Sequence, residues 1–147
     1  MEAKDRIDFL SRPDETPGYV DTFMKILEKA IDDAKDMLLE RFNYICSQSP
    51  ESAKFMYENG LMAGYIPEEG IISALRHGTL AIGQLGLAEA LQILVGCNQT
   101  TKEGMALAKR IESLFKTKAS EFKEQYKLNF GVYYTPKIEL GVVQVIV

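Results

Sequence analysis

The sequence predicts an α+β fold, mostly helical, with long amphipathic helices packed on a small sheet of about three short strands. Three observations carry this. Val20 to Cys46 and Thr100 to about Lys127 keep apolar residues at three-and-four spacing over long stretches. Thr79 to Ile82, LNFGVYYT and LGVVQVIV have strand composition, the last rich in β-branched residues. The chain has 147 residues, enough for one domain with a proper core and too few to expect two.

The order along the chain follows. Residues 1–18 are charged and end in SRPDETPG, whose prolines and glycine argue for a flexible leader. A single helical domain with a small sheet is expected over 19–147. In its first helix Phe23, Ile26, Leu27, Ala30, Ile31, Ala34, Met37, Leu38 and Ile45 form the predicted apolar side. Ser49 is placed to cap a short second helix, with Pro50 at its first position, Glu51 near its positive end and Asn59-Gly60 closing it. After the loop LMAGYIPEEG, a further short helix is expected from Pro67 to about Leu75.

A strand over Thr79–Ile82 and a buried helix over Gly86–Val95 come next. Leu87, Leu91, Leu94 and Val95 face inward, and Gly96 stops the helix. Thr100-Thr101-Lys102-Glu103 reads as a capping box with Thr100 at the cap. The helix it opens has Leu107, Ala108, Ile111, Leu114, Phe115, Phe122 and Tyr126 as its apolar stripe. LNFGVYYT and LGVVQVIV, joined by the turn TPKIE, are strands able to form a hairpin. Strand 79–82, two helices and strand 129–134 make a βαβ-like unit, whose crossover is right-handed if the strands are parallel.

Composition excludes several functions. A net charge of −4 gives no electrostatic reason to expect nucleic acid or an anionic membrane as partner. No apolar run approaches the roughly 20 residues that span a bilayer, and MEAKDRIDFL lacks the apolar core of a signal peptide. Cys46 and Cys97 stand far apart with no CxxC, as expected of free thiols in a cytoplasmic protein. No metal-ligand cluster, Walker A loop, dinucleotide fingerprint or catalytic triad pattern is found, so neither a metal nor a cofactor is expected in this chain.

The candidate site is the turn Gly83-Gln84-Leu85-Gly86. Glycines let backbone amides approach an anion, and a following helix start adds unpaired N–H groups and partial positive charge. The competing reading is that the glycines serve only close helix–strand packing. His77, the sole histidine, is either a general acid/base or a partly buried ring bonded to backbone. Glu89 either stabilises the helix start by its charge or faces a ligand hydroxyl. Asp32/Asp36 and Glu68/Glu69 read as solvated faces.

LRHGTLAIGQLGLAEALQILVG resembles the segment LRHGTLSIGFIGLAE of the anaerobic, glycyl-radical ribonucleoside-triphosphate reductases. VDTFMKILEKAIDDAKDMLLERFNYI resembles the long helix before it, and KASEFKEQYKLNFGVYYTP resembles EYSEKYNLNFSLLATP after it. The likeness runs from about Val20 to Pro136. It implies a piece of a ten-stranded α/β barrel. In the full enzymes a glycyl radical passes to a cysteine and ribonucleotides are reduced to deoxyribonucleotides, with formate as the common reductant and an iron–sulfur activating enzyme making the radical. It also implies that Gly83, Gln84, Leu85 and Gly86 hold substrate phosphate; His77, Glu89 and Tyr134 are the candidates for residues that face the substrate.

The departures are as informative. The family's radical-glycine motif, its two CxxC pairs and its N-terminal regulatory nucleotide-binding region have no counterpart here, and neither Cys46 nor Cys97 matches the radical cysteine. No catalytic residue is therefore assigned. The family's serine is Ala81 and its aromatic is Gln84. The tail LGVVQVIV resembles NLGVVSVNLP, which in the family precedes the long helix. The expectation is a fragment or degenerate relative, not catalytic alone, with a ribonucleotide, a second copy of the chain or the remaining reductase segments as partners. The alternative is a non-catalytic helical self-association module.

Overall fold

The structure, a computed structural model, describes residues 16–134 and 145–146. Most of the expected leader, the TPKIE turn and most of the tail lie outside the described residues. Helix α1 spans Thr16–Cys46. It starts within the segment expected as leader, because Pro17 sits in the first turn, where a missing N–H breaks no intrahelical bond.

Only part of α1's expected apolar side is inside. Val20, Leu27, Ile31, Ala34, Leu38 and Phe42 are buried, whereas Ile26, Met37 and Ile45 are exposed. The apolar residues of this helix cover more of its circumference than the neighbouring elements can cover. Helix burial is decided by what packs against it, and the periodicity averaged two adjacent stripes.

A 3₁₀ turn, Pro50–Ala53, follows, with Ser49 Oγ accepting from the Glu51 N–H at 3.2 Å as its cap. It leads into the short helix α2, Lys54–Glu58, which ends at Asn59. The helix expected from Pro67 is shorter than the sequence suggests. Residues 66–70 form a turn closed by an Ile66–Gly70 bridge, and helix α3 spans only Ile72–Leu75. Ser73 holds this turn together. Its hydroxyl is fully buried, accepts from the Ile66 N–H (2.8 Å) and donates to the Gly70 carbonyl (2.6 Å). Arg76 and Glu69 pair at 3.0 Å on its surface.

Strand β1, Thr79–Gln84, runs two residues further than expected. Helix α4, Leu87–Val95, stops at Gly96 in the left-handed region (φ +69°). It is less buried than the sequence suggests. Ala90 and Leu91 are inside, Leu87, Leu94 and Val95 are half-buried against the core, and Ile93 is exposed.

Helix α5, Lys102–Tyr126, has its cap one residue later than expected. The Gly104 N–H donates to Thr101 Oγ1 at 3.0 Å, while Thr100 turns back to the side chain of Asn98. The third helical residue is thus Gly104, and no reciprocal glutamate completes a box. A Cβ at Gly104 would collide with the Asn98 carbonyl, so the tight entry of the chain fixes this choice. Of the expected apolar stripe of α5, Leu107, Ala108, Ile111, Phe115 and Phe122 are buried, with Ala119 added, while Leu114 and Tyr126 are half-buried against the core.

Strand β2, Asn129–Tyr134, pairs in parallel with β1, from Thr79 opposite Asn129 to Gln84 opposite Tyr134. The β1–α4–α5–β2 connection is therefore the expected βαβ-like unit. On the other edge of β1, Val145–Ile146 (β3) pairs antiparallel with Gln84 and Gly83. At those residues the tail lies against β1, not β2, so the hairpin is not formed there. The sheet's helix-facing side, the buried stripes of α1 and α5, and Leu91 make one core centred on Ile31, Ile82, Leu91 and Phe115. Across it, Lys118 bonds Asp32 at 2.8 Å and ties α5 to α1. No described helix is long and apolar enough to cross a membrane.

Candidate functional site: the strand-to-helix turn

The expected four-residue turn is only two residues long. Gly83 and Gln84 belong to β1, and the chain turns at Leu85-Gly86 alone. The reason is the pairing with β2, which extends the ladder to the Gln84–Tyr134 pair. Gly86 takes φ +83° at the cap of α4, a conformation that a residue with a Cβ adopts only with strain. Gly86 has no side chain with which to cap this helix, and its first intrahelical bond runs from the Ala90 N–H to the Gly86 carbonyl (3.0 Å). The N–H groups of Gly86, Leu87 and Ala88 accordingly have no acceptor within the helix. Glu89 lies half-buried in the same first turn. Its carboxylate complements the positive helix end and competes there with any anion.

Gln84 does not face the turn as a ligand loop would require. It is 7% exposed, and its Nε2 is buried without a hydrogen-bond partner. It borders a cavity of about 10 Å³, whose other walls include Phe23, Leu27, Leu87, Ile111 and Phe115. That is room for about one water molecule. Strand alternation explains the placement: Ile82 and Gln84 share the core side of β1.

The structure sets His77 apart from the other predicted residues. His77 precedes β1, and Gly86 follows it. The six strand residues between them span roughly 20 Å at about 3.3 Å each. His77 is exposed, its ring resting against Gly64, where a Cβ would come within 2.8 Å of its Cδ2. Among the described residues its ring makes no hydrogen bond, so the partly buried, backbone-bonded histidine is not what is found. Tyr134, by contrast, ends β2 beside Gln84, at the same carboxyl end of the parallel pair as the turn.

Reading the chain by motif missed the open side of the sheet. Thr79 and Ala81 on β1, and Asn129 and Tyr133 on β2, are exposed there, flanking the small Gly131. Two-residue alternation, once both strands are given their full length, would have found them.

Burial pushes the Cys46 thiol up, which keeps it protonated. Both cysteines are free. The hydrogen bond to Asp32 raises Lys118, and that to Asp36 raises Lys35; both ammonium groups lie near the Phe122 ring, at 5.4 and 5.6 Å from its centroid. Among the described residues no group of three or more His, Cys, Asp or Glu is arranged to hold a metal ion.

Two parallel strands joined through helices, with an uncapped helix start at their carboxyl end, define a unit of the α/β type, in which ligands characteristically bind at that end. The model of the anaerobic ribonucleoside-triphosphate reductase family matches residues 6–141, and the chain belongs to that family. No curated protein matches the chain.

Proposed function

We propose that this chain is a piece of the wall of a reductase barrel, and that its remaining ligand function is weak binding of a ribonucleotide through its phosphates. The supporting observation is the uncapped start of α4 at Gly86, set at the carboxyl end of the parallel pair. The N–H groups of Gly86, Leu87 and Ala88 would take the phosphate oxygens, with the positive helix end adding attraction. Gly83 and Gln84 shape this loop from within the strand. Tyr134 would flank the bound nucleotide.

Glu89 weakens the grip by its charge, so the affinity belongs in the millimolar range. The sequence holds neither the radical-glycine motif nor a cysteine matching the radical position. Radical chemistry needs its participants in one water-excluded cavity, so no reduction is expected from these residues by themselves. Completing the wall would require further barrel strands along the sheet edges.

Titration of the ¹⁵N-labelled chain with a ribonucleoside triphosphate tests the binding. Amide shifts confined to Gly86 through Glu89, reproduced by inorganic triphosphate, are expected. Unmoved amides at about 10 mM nucleotide would overturn it, since binding then falls below about 3 kcal/mol.

A further inference from the structure

We propose that the apolar surface carried by residues 50–76 is a docking site for a basic, apolar-rich segment of another polypeptide. The proposal does not depend on the phosphate site.

Residues 50–76 form a small unit beside the main core. Tyr57, Ile71, Ser73 and Ala74 are buried in it, and none of them belongs to the core centred on Ile31, Ile82, Leu91 and Phe115. Phe55, Met56, Leu61, Ile66 and Ile72 are exposed on it, Phe55 at 71% and Leu61 at 59%. They are five of the twelve large apolar side chains exposed among the described residues. Apolar exposure is thus concentrated here, and concentration is what separates an interaction surface from scattered surface residues.

The backbone of the unit holds these side chains outward. The Leu61 N–H donates to the Met56 carbonyl at 3.1 Å, and the Asn59 side chain donates to the Phe55 carbonyl at 2.8 Å. The rings of Tyr57 and Tyr65, with centroids 4.6 Å apart, join α2 to the residue before Ile66. Ser73, next to Ile72, accepts from the Ile66 N–H. A surface fixed in this way loses little conformational freedom when it is covered.

Charge specifies the occupant. The unit carries four carboxylates, Glu51, Glu58, Glu68 and Glu69, and two cations, Lys54 and Arg76. Lys54 is shared by Glu51 and Glu58 at 3.6 Å from each, and Arg76 is taken by Glu69 at 3.0 Å. Both cations are occupied, and negative charge is left over around the apolar side chains. Like charges brought together across an interface cost energy, and opposite ones steer approach and fix register. A second copy would set this acidic rim against itself, and an anionic lipid surface would meet it with the same sign. A segment whose apolar side chains are flanked by Lys or Arg satisfies both the apolar residues and the carboxylates.

Titration of the ¹⁵N-labelled full chain with an amphipathic leucine–lysine peptide tests this, with a leucine–glutamate peptide of the same pattern as control. Amide shifts confined to residues 50–76 and saturating in the micromolar range are expected for the first peptide, and none for the second. Phe55→Ser/Leu61→Ser should weaken binding about tenfold or more through lost apolar contact. Glu58→Lys/Glu68→Lys should weaken it about as much by reversing the rim. All four side chains are exposed, so the variants keep the fold, which circular dichroism checks.

No saturable shift at about 1 mM peptide, equal binding of the two peptides, or shifts that extend to the exposed Ile26 and Met37 of α1 would overturn the proposal. So would a different occupant: phosphatidylglycerol vesicles that shift the same amides, or a dimer in sedimentation that Phe55→Ser/Leu61→Ser dissociates.

Discussion

Replacing Gln84 by methionine removes the one buried side-chain nitrogen that, among the described residues, has no hydrogen-bond partner. The two side chains have similar length and volume, so the swap leaves packing nearly unchanged, and volume-conserving exchanges usually cost less than about 1.5 kcal/mol. The amide is 7% exposed and borders walls of Phe23, Leu27, Leu87, Ile111 and Phe115. An unsatisfied buried donor of this kind costs about 1–3 kcal/mol. Methionine removes that cost and offers those walls a polarizable apolar partner. Net stabilisation of about 1 kcal/mol is the expected result. It should appear in urea unfolding as a higher midpoint at unchanged slope, and as a melting temperature raised by about 3 °C. A variant less stable than the parent would refute the reasoning, because it would mean that the amide is paired in solution, for instance by a water in the adjoining cavity. The family carries an aromatic at this position, so Gln84→Phe is a harsher version: it stabilises only if the cavity opens to admit the ring.

Three further outcomes follow from the packing. Gly104→Ala should destabilise by about 1–3 kcal/mol, because its Cβ meets the Asn98 carbonyl; helix propensity by itself predicts a gain of about 1 kcal/mol, so the sign in thermal melting separates the two. Thr101→Ala should cost about 1 kcal/mol, and Thr100→Ala less, which locates the cap of α5 by denaturation. Lys118→Met should lose up to about 1 kcal/mol at neutral pH, since the Asp32 carboxylate is partly solvated. Because Lys118 is raised above 10.5, its contribution is fully present below that pH and is lost as pH rises through the higher folded value. The stability gap between parent and variant should therefore be constant from neutral pH to about pH 10 and close above it; a gap that closes at lower pH would show that the ion pair is not its source.

Several elements were legible from local order. The stripe of α5 is cleanly periodic and faces a single core, so Leu107, Ile111, Phe115 and Phe122 are inside as the spacing implies. Gly96 and Asn59 end their helices where expected, because a cap is a local matter of backbone conformation. The candidate site was legible in place but not in shape. The run of glycines pointed to the strand-to-helix junction, yet gave no sign that Gly83 and Gln84 would be drawn into β1 by pairing with Tyr133 and Tyr134.

The family, the helical periodicities and the strand composition of NFGVYY are written in the sequence, because each depends on residues close along the chain. Which stripe of α1 is covered, how far β1 extends, whether Thr100 or Thr101 caps, and the separation of His77 from the turn were decided only in three dimensions. Each depends on a partner distant along the chain or on the direction in which a backbone enters. Ile26 and Leu27 are adjacent apolar residues of one helix, and only the second is buried. The difference lies in the neighbouring elements that pack against Leu27 and leave Ile26 to solvent.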